Sequence, residues 1–295
     1  KKRLRDKRER KYSYSNKRFD SEKKKILFVN FLSGNYIVSK RVIEYIRKQG
    51  KYDVFLLNVD ESKNENMISY LERNKADFLQ VEGFADTTFS WSFKYYVNKY
   101  NKIIKKFNSK REFHRFYFGG EEASNISRQP FDFYFGSRKR YLDVIYYYLL
   151  FKVSIGKIKP DLVVLLDEFS DLAKPIYTHC KNSKIKSIFL QHGITFEMTM
   201  YKELDADLVC VWGDSTKDDL IYKKIPNDKI KICGNPNIDY LFDKISSFDR
   251  KKLLDKYNLD KNKKYILYTT QPLTLNQKTK AANCIFLAVS KLQGY

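Results

Sequence analysis

Five short polar clusters, each following an apolar run, carry the residues able to do chemistry: Ser33-Gly34-Asn35, Asp167-Glu168, Gln191-His192-Gly193, Trp212-Gly213-Asp214 and Gly234-Asn235-Pro236. His192 is the most informative, because histidine is the side chain whose ordinary pKa of about 6.5 suits proton transfer near neutrality. The chain holds 3 histidines. His114 falls in an aromatic-rich stretch and His179 in a predicted helix, which leaves His192, at a strand end before a glycine, as the candidate general base. A histidine satisfied structurally by its neighbours is the competing reading. Asp167 and Glu168 can orient that imidazole, act as base themselves or bind acceptor hydroxyls; charge placed at a helix N-terminus is the alternative. Asp205-Ala206-Asp207 matches a DxD metal string but precedes its apolar run instead of following it. Capping or solvation is therefore expected of it, and no metal requirement.

These residues need a scaffold that gathers them. Ile26 to Val29 reads as a buried strand running into a loop at Gly34, followed by helical spacing of Ile37, Val38, Val42, Ile43 and Ile46 that stops at Gly50, and then by the strand DVFLLNV. After Pro160 the pattern sharpens into PDLVVLLDE, a helix over roughly 170–181, KSIFLQHG, DLVCVWGD, a helix over roughly 215–224 and KIKICGN. Near-continuous aliphatic strands alternating with helices predict a doubly wound, parallel α/β sheet of Rossmann type, buried on both faces. Ligands in such sheets bind outside the carboxyl ends of the strands, so all five clusters face one cleft. Residues 62–150 are harder to place. Helical patterns occur in MISYLERN and SFKYYVNKYNKIIKKF, and aromatic residues are dense from Trp91 to Tyr148. They read either as core or as a face for a lipid-linked acceptor or membrane surface.

The order strand-DE, helix, QHG, strand-WGDSTKDDL, helix, NDKIKICGNPNID resembles the N-terminal domain and interdomain crossing of GT-B glycosyltransferase-like enzymes. Within them it is similar to CDP-glycerol glycerophosphotransferases and capsule polysaccharide transferases, and more distantly to non-hydrolysing UDP-GlcNAc 2-epimerases. The resemblance runs from Lys25 to about Gln271 and is strongest from Pro160 to Asp239. It implies a transferase that moves a glycosyl or glycerol-phosphate group from a nucleotide-activated sugar or CDP-glycerol donor to a cell-surface glycan or lipid-linked acceptor, without a separate cofactor. His192 would be the base on the acceptor hydroxyl. Ser33, Gly34, Asn35, Gln191, Gly193, Gly213, Asp214, Gly234, Asn235 and Pro236 would line the substrate and donor cleft, and Gly234, Pro236 and Asp239 would mark the chain leaving the first domain. Lys264 to Gln271 resembles the first strand and turn of a nucleotide-binding second domain, with Thr269, Thr270 and Gln271 near the donor phosphates. This implies a basic arm over 1–24, an acceptor domain over 25–245, and a linker with the incomplete start of a second domain over 246–295. The epimerase alternative fits less well at Gln191-His192-Gly193, where those enzymes carry an HxEAG-type sequence.

Composition bounds the rest. With 295 residues, 43% of them hydrophobic, the chain has ample material for a core, which excludes a disordered tail or a small disulfide-dependent fold. Its 57 Lys and Arg against 35 Asp and Glu leave +22, of which 1–25 contributes thirteen basic and four acidic residues. That excess fits a nucleic acid, an anionic membrane face, or a compositional bias toward Lys, Asn, Ile, Tyr and Phe. No recognised nucleic-acid motif accompanies it, so a nucleic-acid partner is not expected, and a cytoplasmic location, peripheral at the inner membrane face, is. The 4 cysteines form no CxxC pair, which fits a reducing compartment. The longest apolar stretch, Val144 to Phe151, is too short to span a bilayer.

Overall fold

The computed structural model describes residues 19, 21–31, 33–59, 66–109, 117–118, 121–122, 138–167, 170, 172–193, 204–246, 248–269 and 275–291. They divide into two compact units, Lys1–Tyr240 and Leu241–Tyr295.

The first unit opens with strand β1 (Lys25–Asn30), helix α1 (Ser33–Gln49), β2 (Asp53–Asn58), α2 (Asn66–Arg73), the two-residue β3 (Leu79–Gln80) and α3 (Thr87–Ser109). A short antiparallel pair, β4 (Tyr117–Phe118) with β5 (Glu121–Glu122), precedes α4 (Arg138–Ile158). Then come β6 (Leu162–Leu165), α5 (Ala173–Asn182), β7 (Lys186–Leu190), β8 (Leu208–Val211), α6 (Asp214–Tyr222), β9 (Ile230–Ile232) and α7 (Pro236–Ser246), which crosses into the second unit. Seven strands form one sheet in the order β3-β2-β1-β6-β7-β8-β9, every pair parallel. Because β1 is flanked by β2 and β6, the winding reverses between β1 and β6, and the doubly wound expectation holds.

Strand alternation accounts for the two cores. Leu27, Val29, Val163, Leu165, Val209 and Val211 face one way, against Leu150, Phe151 and Ile158 of α4 and Ile176 and Tyr177 of α5. Ile26, Phe28, Val54, Leu56 and Val164 face the other, against Tyr36, Val38 and Ile43 of α1 and Leu71 of α2. Fully burying one such side chain contributes about 1.5–3 kcal/mol. Within the stretch 1–24, expected as a basic arm, Phe19 is among the described residues. Phe19 is buried against the first core, stacked on Phe84 at 5.8 Å and edge-on to Phe55 at 5.6 Å. A phenylalanine within reach of an open apolar face outweighs the polar character of its neighbours.

Helix ends show the lysine bias at work. Lys75, Lys184 and Lys224 follow α2, α5 and α6 in the left-handed region, at φ 50°, 56° and 67°. Each sits in a Schellman turn, closed by Ala76 N to Leu71 O at 2.9 Å, Ile185 N to Cys180 O at 2.9 Å and Ile225 N to Leu220 O at 3.0 Å. A side chain with a Cβ is strained there. Lys184→Gly and Lys224→Gly should each raise stability by about 0.5–1 kcal/mol, read as a higher urea midpoint at unchanged slope.

In the second unit, Asp249 caps α8 (Arg250–Lys256), its carboxylate accepting from Lys251 N at 2.9 Å and Lys252 N at 3.2 Å. Helix α9 (Leu275–Val289) buries none of its residues. The expected strand at 264–271 is not present as such: 264–269 pair with no strand among the described residues, and Leu267 is 86% exposed. A strand exists only through its ladder partner, and the described part of this unit supplies none.

Candidate functional site

Parallel pairing places every strand's carboxyl end on one edge, so the predicted clusters fall along a single line. Leu165 of β6 pairs with Phe189 of β7. Asp167 and His192 therefore leave the sheet from neighbouring strands, beside the β1/β6 reversal. His192 is exposed to solvent. Its imidazole nevertheless has a pKa below the ordinary 6.5, because surrounding protein removes water from the charged form, while the negative charge of Asp167 pulls the other way. Near neutral pH this histidine is an unprotonated base.

Asp167 has a local duty as well. Its Oδ1 accepts from Ser170 N at 3.1 Å, and Ser170 Oγ accepts from Ala173 N at 3.1 Å, which shapes the entry into α5. The carboxylate thus holds the helix start and acts on His192 through its charge alone. Glu168 lies outside the described residues, as do Thr270, Gln271, His114 and most of the aromatic stretch between 110 and 137.

Gln191 is buried and holds the site together from beneath. Its Nε2 donates to Gly193 O at 2.8 Å and to Thr216 Oγ1 at 3.4 Å, while its Oε1 accepts from Trp212 N at 2.7 Å. The Trp212 indole donates back to Gln191 O at 3.0 Å. One amide therefore locks the turn bearing His192 to the turn bearing Gly213 and to the first turn of α6, which begins at Asp214. Its side chain positions these turns. Trp212 and Thr216 complete this clamp and were not selected from the sequence.

Gly234, Asn235 and Pro236 form a helix start. Gly234 has φ 75°, Asn235 Oδ1 accepts from Asn237 N at 3.0 Å, and Pro236 is the first residue of α7. Proline's missing N–H costs nothing at that position. Ser33, Gly34 and Asn35 are the first turn of α1, where a loop was expected, because the helical register reaches back to the end of β1. Thr269 belongs to the second unit and is exposed. The first turns of α1 and α6 bring amide groups without intrahelical partners to the strand-end edge, a physical match for a diphosphate.

One feature of this edge has no counterpart among the predicted residues. Asn30, Asn58 and Gln80 are the last residues of β1, β2 and β3, in register with one another. Asn30 Nδ2 donates to Asn58 Oδ1 at 3.2 Å, Asn58 Nδ2 donates to Gln80 Oε1 at 2.8 Å, and Gln80 Nε2 donates to Glu82 Oε2. All four residues are buried. At the head of this ladder Asn30 Oδ1 is buried with no hydrogen-bond partner among the described residues, and so is Asn35 Nδ2 in α1. The signal was visible: KILFVN and DVFLLN both end an apolar run in asparagine.

The opposite edge holds the DxD string. Asp207 accepts from Ser187 N at 2.9 Å, Ser187 Oγ at 3.0 Å and Lys186 Nζ at 3.0 Å, joining the starts of β7 and β8. Burial pushes its pKa up, but the hydrogen bonds from Lys186 and Ser187 outweigh that and hold it below the usual value. Among the described residues no group of three or more His, Cys, Asp or Glu side chains is placed to hold a metal ion. The four cysteines are free, and burial lifts the Cys180 and Cys210 thiols to about 12, leaving them protonated.

No protein-family model matches the sequence, and no curated protein matches it. Among solved structures, a UDP-GlcNAc 2-epimerase from Neisseria meningitidis bound to UDP-GlcNAc superposes with TM-score 0.50 at 11% identity, over 79% of this chain and 52% of that one. A UDP-N-acetylglucosamine 2-epimerase from Rickettsia bellii gives 0.48 at 11% identity, over 81% and 52%, and a glycosyltransferase from Rickettsia africae 0.46 at 15%, over 82% and 51%. The chain spans about half the length of the structures it matches. The likeness to the Neisseria protein supports the fold assignment: a Rossmann-type, GT-B-like parallel α/β architecture.

Proposed function

We propose that this chain carries the acceptor side of a GT-B-type transferase acting on a nucleotide-activated donor. The observation behind this reading is the placement of Asp167 and His192 at neighbouring strand ends beside the sheet's reversal point, with the imidazole held below its ordinary pKa. An acceptor hydroxyl placed there gives its proton to His192 as its oxygen bonds to the anomeric carbon. The bond from that carbon to the diphosphate oxygen breaks, and the nucleoside diphosphate leaves with the electron pair. Helix N-termini along the same edge suit the developing negative charge. With CDP-glycerol the same geometry would serve phosphoryl attack, and cytidine monophosphate would leave. The acceptor in this reading is a cell-surface glycan or lipid-linked saccharide, met at an anionic membrane face.

Epimerisation of a UDP-linked sugar is the second reading, supported by the fold likeness to the Neisseria protein. The two separate by product. Radiolabelled UDP-GlcNAc or CDP-glycerol, incubated with the complete protein and a membrane fraction as acceptor, should move label into a chain-extended product. Label recovered only as a free or nucleotide-linked epimer would overturn the transfer reading in favour of the second.

A further inference from the structure

Helix α3 is 23 residues long and contains no Asp or Glu but five lysines. At about 1.5 Å per residue it is a rod of roughly 34 Å. Its inward side is fixed by rings. Phe89 and Phe93 meet Tyr146 of α4 at 5.2 and 5.5 Å, and Tyr100 stacks on Tyr141 at 4.4 Å. As α3 advances, α4 recedes, so the two run antiparallel.

The outward side has the opposite character. Trp91, Tyr95, Asn98 and Lys102 recur at the spacing of one helical stripe, and all are exposed, Trp91 by 74% and Tyr95 by 61%. Lys94 and Lys105 flank the stripe on one side and Lys99 on the other, all exposed. These four lysines make no ion pair among the described residues. The antiparallel packing also brings the start of α4, Arg138-Lys139-Arg140, alongside the lysine-rich end of α3. Together the two helices hold ten basic residues and one acidic one.

A tryptophan left in water on a surface of unopposed lysines is what an interfacial helix presents to anionic lipid: the rings settle at headgroup depth, the lysine stems extend past them, and each ammonium finds a phosphate. A nucleic acid would ask for a groove in which bases stack, whereas this face is the convex ridge of one helix. We propose that the Trp91–Lys105 face of α3 docks the protein on an anionic lipid bilayer. This deepens the membrane part of the reading above but stands on α3 itself, so its failure leaves the transfer chemistry standing, and loss of that chemistry leaves it standing too.

The test is sedimentation with vesicles of phosphatidylcholine containing about one third phosphatidylglycerol. Binding is expected at low salt, weaker by tenfold or more at about 0.5 M salt as charges are screened, and absent from pure phosphatidylcholine. Lys94→Gln with Lys102→Gln should lower partitioning about twenty-fivefold, at about fivefold per charge, Trp91→Ala with Tyr95→Ala should abolish cosedimentation with the vesicles, and in the parent brominated lipid should quench Trp91 fluorescence. Trp91→Phe supplies the background from Trp212. All these side chains are exposed, so the variants should melt with the parent. Undiminished vesicle binding by either double variant would overturn the proposal, as would absence of vesicle binding alongside tight binding of a single-stranded oligonucleotide that needs the same lysines.

Discussion

If the protein is the transferase proposed above, His192→Ala should lower turnover on the nucleotide-activated donor by about two orders of magnitude or more while leaving donor binding intact, because in that reading it removes the proton acceptor. His192 is exposed, so the circular dichroism spectrum should match the parent. The pH profile supplies the sharper check. The folded pKa is lowered, so the base is neutral and competent above it. The acid limb of kcat/KM must therefore fall below pH ~6.5, the unperturbed histidine value. Asp167 opposes the shift, since its negative charge favours imidazolium. Asp167→Asn should then move the acid limb lower still, while costing turnover through lost orientation. Near-normal turnover in His192→Ala, or an acid limb indifferent to Asp167, would remove His192 from the base role. The same lowering has a stability consequence: neutrality of His192 favours the folded state above the unfolded pKa and is lost as pH falls through that range.

How far the sequence reached depended on how many independent signals each residue carried. The strands of the second half were legible because PDLVVLLDE, KSIFL and DLVCV are aliphatic on both faces, which only a covered parallel sheet requires. The line of clusters at one edge followed from parallelism alone. What did not follow was the division of labour within it. Gln191 reads like a ligand contact beside His192, yet an amide at a strand end is equally able to lock neighbouring turns, and three hydrogen bonds to Gly193, Thr216 and Trp212 show that it does. Gly234-Asn235-Pro236 reads as a glycine-rich binding turn, but the same three residue types in that order are a left-handed turn, a cap and a first helical proline. Helix α4 was legible only as an apolar stretch, because its aromatic residues spread around its circumference and blur the helical period. Strand β3 has two residues, below any periodicity. Its register shows only once β2 is in place.

That register underlies the second large effect. Asn58→Ala should destabilise the fold by about 2–4 kcal/mol, far more than its small volume suggests. Asn58 is the middle rung between Asn30 and Gln80, and removing it takes the acceptor from Asn30 Nδ2 and one donor from Gln80 Oε1 in a region without solvent access. Each uncompensated buried polar group costs about 1–3 kcal/mol. Asn30→Ala orphans one group, Asn58 Oδ1, and deletes an acceptor that already lacks a partner, so its cost should be about half as large. In the double variant the donor exposed by losing Asn58 is itself gone. The pair should therefore cost less than the sum of the singles by about 1 kcal/mol or more, a coupling that independent surface sites do not show. Urea unfolding at unchanged slope measures all three. Strict additivity, or a cost below about 0.5 kcal/mol for Asn58→Ala, would mean the three strand ends are not joined through their side chains. If the coupling is found, the ladder explains why β1 can stop in a polar residue at the reversal point without fraying: its end is held sideways by β2 and β3. The edge that carries Asp167 and His192 is thereby anchored by residues outside the proposed proton transfer.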